Sequence, residues 1–383
     1  MRRLPTSSRA LASRLDISGH TRLLAALGAI VAIVAAAIAA VVLLRPFDVV
    51  HAEQVQGGLD HPWDIAFTDD GRMLVTERIG RVRVYASGEP GAQLLHAATI
   101  PDVRAELESG LMGIAVHDDA VYICASRDPG DDWQVELLRS TLSADGSLAP
   151  FEALPIGQTI GAARHQGCAV EVDASEHVWL TIGEANLPAG ENPAQDPDRL
   201  NGKVLRVNLD GSAPADNPFG NAVFSLGHRN PQGLAFAPDG AVWEVEHGTD
   251  ENDEVNRIQS GGNYGYPCFT GADTTGPIPD GCGPASDYLA PAWASGSPTL
   301  ATSGARFLIG PAWGDWEGDL VVSTLKESDL RRFAVSADGE VTLEETLLDN
   351  RFGRLRALVI GPDGALYVST DNGNDDRILR VTR

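Results

Sequence analysis

Three segments of the chain are polar where the flanking sequence is apolar, and each carries side chains that could do chemistry. The first is RHQG around His165, and the second is GHRNPQG around Arg229. The third is the acidic stretch 247–254, followed by GGNYGYP over 261–267. An imidazole can accept a proton near pH 7, and a guanidinium can hold an anionic ligand. An acidic, glycine-rich turn can supply the oxygen ligands that calcium prefers.

A recurring strand–turn–strand unit must position these segments. Its six copies begin at Asp64, Gly113, Ala169, Gly233, Gly314 and Ala357. Three of them contain an Asp-Gly turn between apolar strands, which is a strong hairpin signal. Six such units that close into a ring leave only short sheet edges exposed. The sequence therefore predicts an all-β fold, a six-bladed β-propeller, with an open sandwich of similar strands as the alternative.

Two consequences of a ring bear on function. The stretch 49–55, which precedes the first copy, could add a strand to the last blade and close the ring. The segments around His165 and Arg229 precede or enter strands of successive blades, so we expect them to meet at one end of the central channel.

Composition narrows the class of protein. The chain has 383 residues, 43% of them hydrophobic, which is enough for a large core and excludes wholesale disorder. Its formal net charge is −24, so a nucleic acid, which is also an anion, is excluded as the expected partner.

The four cysteines predict two disulfides if the domain is exported. Cys268 and Cys282 bracket a loop rich in Gly, Pro, Thr and Asp, which they would staple. Cys124 and Cys168 lie in strand-like runs and could bridge neighbouring elements. Buried free thiols are the alternative for both pairs.

The N-terminus predicts a membrane anchor. Residues 23–44 form an uncharged apolar run of about 22 residues, long enough to cross a bilayer. Arginines precede the run and an acidic chain follows it, so residues 1–22 should be a cytoplasmic basic tail. Residues 45–383 would then be an extracytoplasmic propeller domain on a single-pass anchor in the cell membrane. A cleaved signal peptide is the alternative, although its apolar core is usually shorter.

The polar segments, together with PAWGDWEGDLVVSTLKESDL and RLRALVIGPDGALYVSTD, resemble the glucose/sorbosone dehydrogenase family over about 59–383. That family contains the soluble PQQ glucose dehydrogenases and the aldose sugar dehydrogenases. The resemblance implies a PQQ-dependent oxidoreductase that converts an aldose to a lactone and passes electrons to an external acceptor. For an anchored enzyme, we expect that acceptor to lie in the membrane.

The resemblance also implies a role for particular residues. His165 matches the general base that takes the proton of the anomeric hydroxyl. Arg229 and Asn230 match cofactor-contacting residues, and Arg229 would also stabilise charge that develops on the reduced quinone. Three further cations match the residues that hold the carboxylates of the cofactor: Lys326, Arg354 and Arg356. Ordinary solvated surface charges are the alternative for these cations.

Calcium is implied at two places. Gly248 and Thr249 match backbone carbonyl ligands of an ion that also binds PQQ. Glu254 and the Tyr264 carbonyl match a second, structural calcium site. A solvated acidic loop is the alternative reading of these four residues.

The chain departs from the family pattern at three positions. Thr249 replaces a proline. Glu108 replaces a glutamine that contacts PQQ, and an extra carboxylate there should weaken binding of an anionic cofactor unless it is protonated or turned away. Arg164 replaces an aspartate and could alter the pKa of His165 or the choice of sugar.

Two other functions remain open at this point. A calcium-dependent six-bladed lactonase would need carboxylates and an asparagine around one metal, and no such set is evident beside His165. A binding propeller that has lost the chemistry would retain the fold alone.

Overall fold

The computed structural model describes residues 50–130, 132–188, 190–272, 278 and 280–383. Within them, 24 strands form six four-stranded antiparallel sheets, the blades of a propeller. Blades 1 to 6 use β2–β5, β6–β9, β10–β13, β14–β17, β18–β21 and β22–β24 with β1. The strands are β1 (His51–Asp60), β2 (Pro62–Phe67), β3 (Met73–Glu77), β4 (Arg81–Tyr85), β5 (Leu94–Thr99), β6 (Leu111–His117), β7 (Ala120–Arg127), β8 (Gln134–Thr141), β9 (Glu152–Ala153), β10 (Gly167–Val172), β11 (His177–Ile182), β12 (Lys203–Asn208), β13 (Val223–Leu226), β14 (Pro231–Phe236), β15 (Val242–Glu246), β16 (Glu254–Ile258), β17 (Trp293–Ala294), β18 (Thr302–Phe307), β19 (Leu320–Thr324), β20 (Leu330–Val335), β21 (Val341–Leu347), β22 (Leu355–Ile360), β23 (Leu366–Thr370) and β24 (Asn374–Thr382). Short 3₁₀ helices span Ala285–Asp287 and Pro311–Trp316.

The predicted propeller is confirmed, and the ring closes in two ways. The first strand of each blade packs against the first strands of both neighbours, and β22 meets β2 to complete the circle. Strand β1 pairs antiparallel with β24, with His51 opposite Thr382, so the start of the described chain completes the last blade. The predicted strand at 49–55 is therefore found, although it extends to Asp60.

Local sequence explains three of the hairpins directly. Gly71, Gly240 and Gly364 adopt φ of 87°, 84° and 78° in their Asp-Gly turns, a conformation that a β-carbon disfavours. The fifth repeat differs from the prediction, because its copy at Gly314 lies after the inner strand β18. The sequence of that strand is TSGARF, and its polar residues interrupt the apolar run by which the other repeats were recognised.

The core lies between adjacent blades. Met112, Tyr122, Val170 and Leu180 are fully or almost fully buried and belong to one cluster that joins blades 2 and 3. Comparable apolar clusters lie between other pairs of blades, so the ring, and with it the position of every loop at its rim, is held by inter-blade packing.

Both predicted disulfides are confirmed. Cys124 on β7 is bonded to Cys168 on β10, which links blade 2 to blade 3, and Cys268 is bonded to Cys282. The predicted anchor at 23–44 and the basic tail lie outside the described residues. Among the residues that are described, no helix is long and apolar enough to span a bilayer.

Candidate active site

The sequence-predicted site residues lie at one end of the central channel. In each blade the start of the first strand pairs with the end of the second, as in Gly167 opposite Ile182 and Pro231 opposite Glu246. Loops before first strands and loops after second strands therefore share one rim. The former carry Glu108, His165, Arg229, Asn230 and Arg354, and the latter carry Gly248, Thr249 and Lys326.

His165 is held by a buried carboxylate that the sequence analysis missed. Its Nδ1 lies 2.5 Å from Glu184 Oε1, and the two residues are 8% and 1% exposed. The other carboxylate oxygen of Glu184 accepts hydrogen bonds from the Leu187 amide and the Asn192 side chain. An Nδ1–H that donates to Glu184 leaves His165 Nε2 as a proton acceptor.

The backbone of His165 adopts a left-handed conformation, with φ of 53°. Residues other than glycine rarely adopt it, and such strain persists where the surroundings hold it in place. The His165 amide donates to Glu108 Oε2 at 3.0 Å, and its carbonyl accepts from the Ala185 amide at 3.1 Å. Gly183 passes so close that a β-carbon there would lie 2.1 Å from the His165 carbonyl oxygen.

Glu108 and Arg164, two of the departures from the family pattern, pair with each other. Arg164 Nη1 lies 3.0 Å from Glu108 Oε1, while Glu108 Oε2 accepts from the His165 amide. Burial opposes the charge of Glu108, but that amide and the neighbouring positive charges outweigh it and hold the pKa of Glu108 below its usual value. The carboxylate is thus ionised but neutralised by its own neighbour.

Asn230 is fully buried, and its side-chain amide forms hydrogen bonds with several residues of the site. Its Oδ1 accepts from the Gly167 amide at 3.1 Å and from Gln232 at 3.0 Å. Its Nδ2 lies 3.4 Å from Glu108 Oε2 and 3.3 Å from His247 Nδ1. The amide therefore connects loops of three blades.

Arg229 retains unused hydrogen-bonding capacity. Its Nη1 donates to the carbonyls of His247 at 3.2 Å and Gly248 at 2.5 Å. Its Nε is buried and has no partner among the described residues, and the same holds for His247 Nε2. Buried polar atoms are normally satisfied, so these two nitrogens mark a place where a ligand could bind.

The three basic residues that were predicted to bind the carboxylates of the cofactor differ in their surroundings. Arg356 is buried, and its Nε and Nη2 both donate to Asp371 Oδ2, at 2.9 and 2.7 Å. Its guanidinium is stacked 3.8 Å from the centre of the Trp63 ring. Arg354 is partly exposed, and Lys326 is exposed with Nζ 3.2 Å from Thr299 Oγ1. Arg354 and Lys326 are thus accessible to a ligand, whereas Arg356 is committed mainly to the protein.

The residues predicted to bind calcium lie close together with one exception. Gly248, Glu254 and Tyr264 line one small cavity with Arg229 and Glu246. Burial, followed by the charge of Glu246, raises the pKa of Glu254 to about 8, so a cation in this cavity would favour its ionised form. The Tyr264 hydroxyl is directed away, to the Arg257 carbonyl at 2.6 Å. Thr249 is exposed and does not line this cavity.

One regularity could have revealed the missed residues. The second strand of four blades ends in, or is followed by, an acid in the repeats VTE, TIGE, EVE and VSTD. These acids are all buried, and they are Glu77, Glu184, Glu246 and Asp371. Each accepts hydrogen bonds from groups at or beside the rim of the channel.

Comparison with known proteins is consistent with this geometry. The family model described as glucose/sorbosone dehydrogenase matches residues 59–380. Aldose sugar dehydrogenase YliI of Escherichia coli is 33% identical over 358 residues, which cover 87% of this chain and 93% of that protein. Quinoprotein glucose dehydrogenase B of Acinetobacter calcoaceticus is 31% identical over 252 residues, 57% of this chain and 52% of that one.

A solved structure shares the architecture. The PQQ-bound form of an aldose sugar dehydrogenase from Streptomyces coelicolor superposes with a TM-score of 0.73 at 26% identity. The match covers 88% of this chain and 99% of that one.

Proposed function

This chain belongs to the glucose/sorbosone dehydrogenase family, and from that premise we propose that it is a PQQ-dependent dehydrogenase that oxidises an aldose sugar at the anomeric carbon to a lactone. The observation that carries the proposal is the His165–Glu184 pair, a base with its orienting acid, at the same rim as Arg229. His165 and Arg229 lie in the motifs that first indicated the family.

The residues at the rim fit a polyanionic quinone. Arg229 Nε and His247 Nε2 are buried polar atoms without a partner in the described part of the chain. Arg354 and Lys326 present accessible cations, and the charge of Glu108 is offset by Arg164. Arg229, Asn230, Lys326 and Arg354 would hold the cofactor directly, with Arg356 behind them. Bound PQQ would supply the electron acceptor for the oxidation.

The chain's own residues would perform the proton transfer. Nε2 of His165 takes the proton of the anomeric hydroxyl, and Glu184 stabilises the imidazolium that results. The Arg229 guanidinium provides a fixed positive charge where negative charge develops. Gly248 and Thr249 would supply carbonyls to one calcium ion, and Glu254 with the Tyr264 carbonyl would bind a second.

The test is a pair of substitutions in the full-length protein. His165→Ala should retain PQQ binding, because the cofactor is held by cations and calcium. Its turnover of aldoses should fall by roughly 10²- to 10⁴-fold, the scale of general-base catalysis. Arg229→Ala should impair both PQQ binding and turnover. His51→Ala, an exposed histidine at the start of β1, is the matched control.

Two outcomes would contradict the proposal. Full activity of His165→Ala would place the base elsewhere. Wild-type protein that binds PQQ with calcium but oxidises no aldose with any artificial acceptor would favour a binding propeller, and lactone hydrolysis without PQQ would favour a lactonase.

We also propose that residues 23–44 anchor the enzyme in the cell membrane, with the propeller outside the cytoplasm and an external electron acceptor within reach. The full-length chain should fractionate with membranes, and a chain that starts at Arg45 should be soluble. Native protein cleaved after residue 44 and free in solution would contradict the anchor.

A further inference from the structure

A second polar cluster lies inside blade 4, next to Arg229 in the chain, and none of its side chains has a role in the proposed proton transfer. It comprises His228 before β14, Glu244 and Glu246 on β15, and Asn256 on β16. Glu246 is 3% exposed, and the other three are fully buried. Two carboxylates at full burial are costly unless a positive charge compensates them.

Four atoms of this cluster have the spacing of a metal coordination shell. His228 Nδ1 lies 3.2 Å from Glu246 Oε1 and 3.7 Å from Glu244 Oε2. Asn256 Nδ2 lies 3.1 Å from Glu244 Oε2 and 3.2 Å from Glu246 Oε1. Bonds of 2.0–2.1 Å in a tetrahedral zinc site separate the ligand atoms by roughly 3.3 Å. The four separations, which run from 3.1 to 3.7 Å, span that value, and the Asn256 amide would have to turn to present its oxygen in place of Nδ2.

Two buried atoms of the cluster lack partners. Glu244 Oε1 and Asn256 Oδ1 make no hydrogen bond to any residue that the structure describes. The Asn256 Nδ2 group, with two hydrogens, faces three carboxylates, because Glu254 Oε2 is also 3.2 Å away. A half-turn of the amide would replace the contacts of Nδ2 with those of Oδ1, which has no partner to lose, and only a cation between Oδ1 and the carboxylates would stabilise that orientation.

The second nitrogen of the imidazole is supported as in metal-bound histidines. His228 Nε2 lies 2.8 Å from Ser225 Oγ, so Nε2–H can donate to the hydroxyl and leave Nδ1 free for a metal. The ring is also stacked on Tyr264, with centroids 4.8 Å apart.

We propose that His228 Nδ1, Glu244, Glu246 and Asn256 bind one divalent transition metal ion of the Zn²⁺ type. The mixture of imidazole nitrogen and carboxylate oxygen suits such an ion, whereas calcium prefers oxygen ligands alone. The site adjoins the proposed second calcium position, because Glu246 lines that cavity and Glu254 Oε2 lies 3.2 Å from Asn256 Nδ2, but none of its four ligands is proposed to bind calcium. Because Glu246 Oε2 also accepts the Arg229 amide at 2.5 Å, the ion would hold the backbone that presents Arg229.

Within the described part of the chain, His61, Asp371 and Asp376 form another histidine–carboxylate cluster, but it has no unpartnered carboxylate. Asp371 Oδ1 is bonded to His61 Nδ1, and Asp371 Oδ2 accepts from Nε and Nη2 of Arg356. Asp376 accepts from the Thr370 hydroxyl and from the Asn372 and Gly373 amides. Its carboxylates are therefore satisfied by the protein, unlike Glu244.

Cobalt(II) is a spectroscopic probe of the proposed site. Full-length protein stripped with a chelator should bind one Co²⁺ per chain with the intense visible absorption of tetrahedral coordination. Zn²⁺ should displace Co²⁺ and abolish that absorption, and Ca²⁺ should not. Glu244→Gln should lose the absorption, whereas Glu340→Gln, an exposed glutamate, should retain it.

Failure to fold is checked by thermal unfolding of the metal-free proteins. Glu244→Gln should unfold at a temperature no lower than the wild type, because a neutral amide replaces a buried carboxylate. Absence of tetrahedral absorption in the wild type, its survival in Glu244→Gln, or its displacement by Ca²⁺ would each overturn the proposal. The cobalt measurement needs neither PQQ nor sugar. A negative result would therefore contradict the metal site without contradicting the proposed dehydrogenase activity.

Discussion

Glu184 Oε1 and His165 Nδ1 lie 2.5 Å apart although they come from different loops of blade 3. The loop before β10 carries the histidine, and the loop after β11 carries the carboxylate. The pairing of those two strands thus brings a base and its orienting acid together at the channel rim. A buried carboxylate beside Nδ1 both selects the tautomer and stabilises the protonated ring.

Glu184→Gln should lower kcat by roughly 10²-fold within the range of general-base effects, since an amide stabilises an imidazolium less than a carboxylate does. PQQ binding, followed by quinone absorbance, should be unchanged. Glu191→Gln, an exposed glutamate of the same loop, is the control. Wild-type kcat in Glu184→Gln would show that this carboxylate does not act through His165.

Arg164 should shield an anionic cofactor from Glu108. Arg164→Ala should weaken PQQ binding by a factor of up to about five, because partly exposed ion pairs are worth up to about 1 kcal/mol. Glu108→Gln combined with Arg164→Ala should restore the affinity. Titration with PQQ measures both effects, with Arg139→Ala, an exposed arginine on β8, as the control. Equal affinity of Arg164→Ala and wild type would mean that the Glu108 charge does not reach the cofactor.

Asp64 should make stability depend on pH. It lines the central channel near Glu171 and Arg306, and burial raises its pKa from 3.8 to about 7. Between these values the folded state retains a proton that the unfolded state has lost. The contribution of Asp64 to the free energy of unfolding is therefore fully present below about pH 4 and is lost as the pH rises towards 7. The free energy of unfolding should fall by at most about 1.4 kcal/mol per pH unit in this range.

Urea unfolding at a series of pH values tests this expectation. Asp64→Asn should reduce the slope between about pH 4 and 7 by up to about 1.4 kcal/mol per pH unit, whatever its effect on absolute stability, and the exposed Asp338→Asn should leave the slope unchanged. The same slope in Asp64→Asn and wild type would assign the pH dependence to other groups.

The disulfide between blades 2 and 3 should contribute more to stability than the one within a loop. Cys124 and Cys168 are 44 residues apart, so replacing both with Ala should cost about 4 kcal/mol. Cys268 and Cys282 are 14 apart, and replacing both with Ser should cost about 3 kcal/mol at most. Chemical denaturation measures the two losses, and a larger loss for the second pair would contradict this ranking.

Short-range patterns explain why the propeller was predictable. An Asp-Gly turn between apolar strands specifies a hairpin from neighbouring residues alone, and the repetition of that unit indicates a ring. The fifth repeat was predicted to begin at Gly314, after its true first strand β18, because Gly304 and Arg306 line the channel and interrupt the apolar pattern of that strand. The motifs around His165 and Arg229 indicated the family, and the comparisons confirmed that assignment.

The sequence by itself thus determined the repeat, the family and the candidate residues of the rim, because each depends on residues close together in the chain. Only the tertiary structure decided which side chains meet. It paired His165 with Glu184, neutralised Glu108 with Arg164, and committed Arg356 to Asp371. Glu108 and Arg164 are 56 residues apart, and nothing local in the sequence relates them. Their contact follows from ring closure, since packing between blades fixes where each loop reaches the rim.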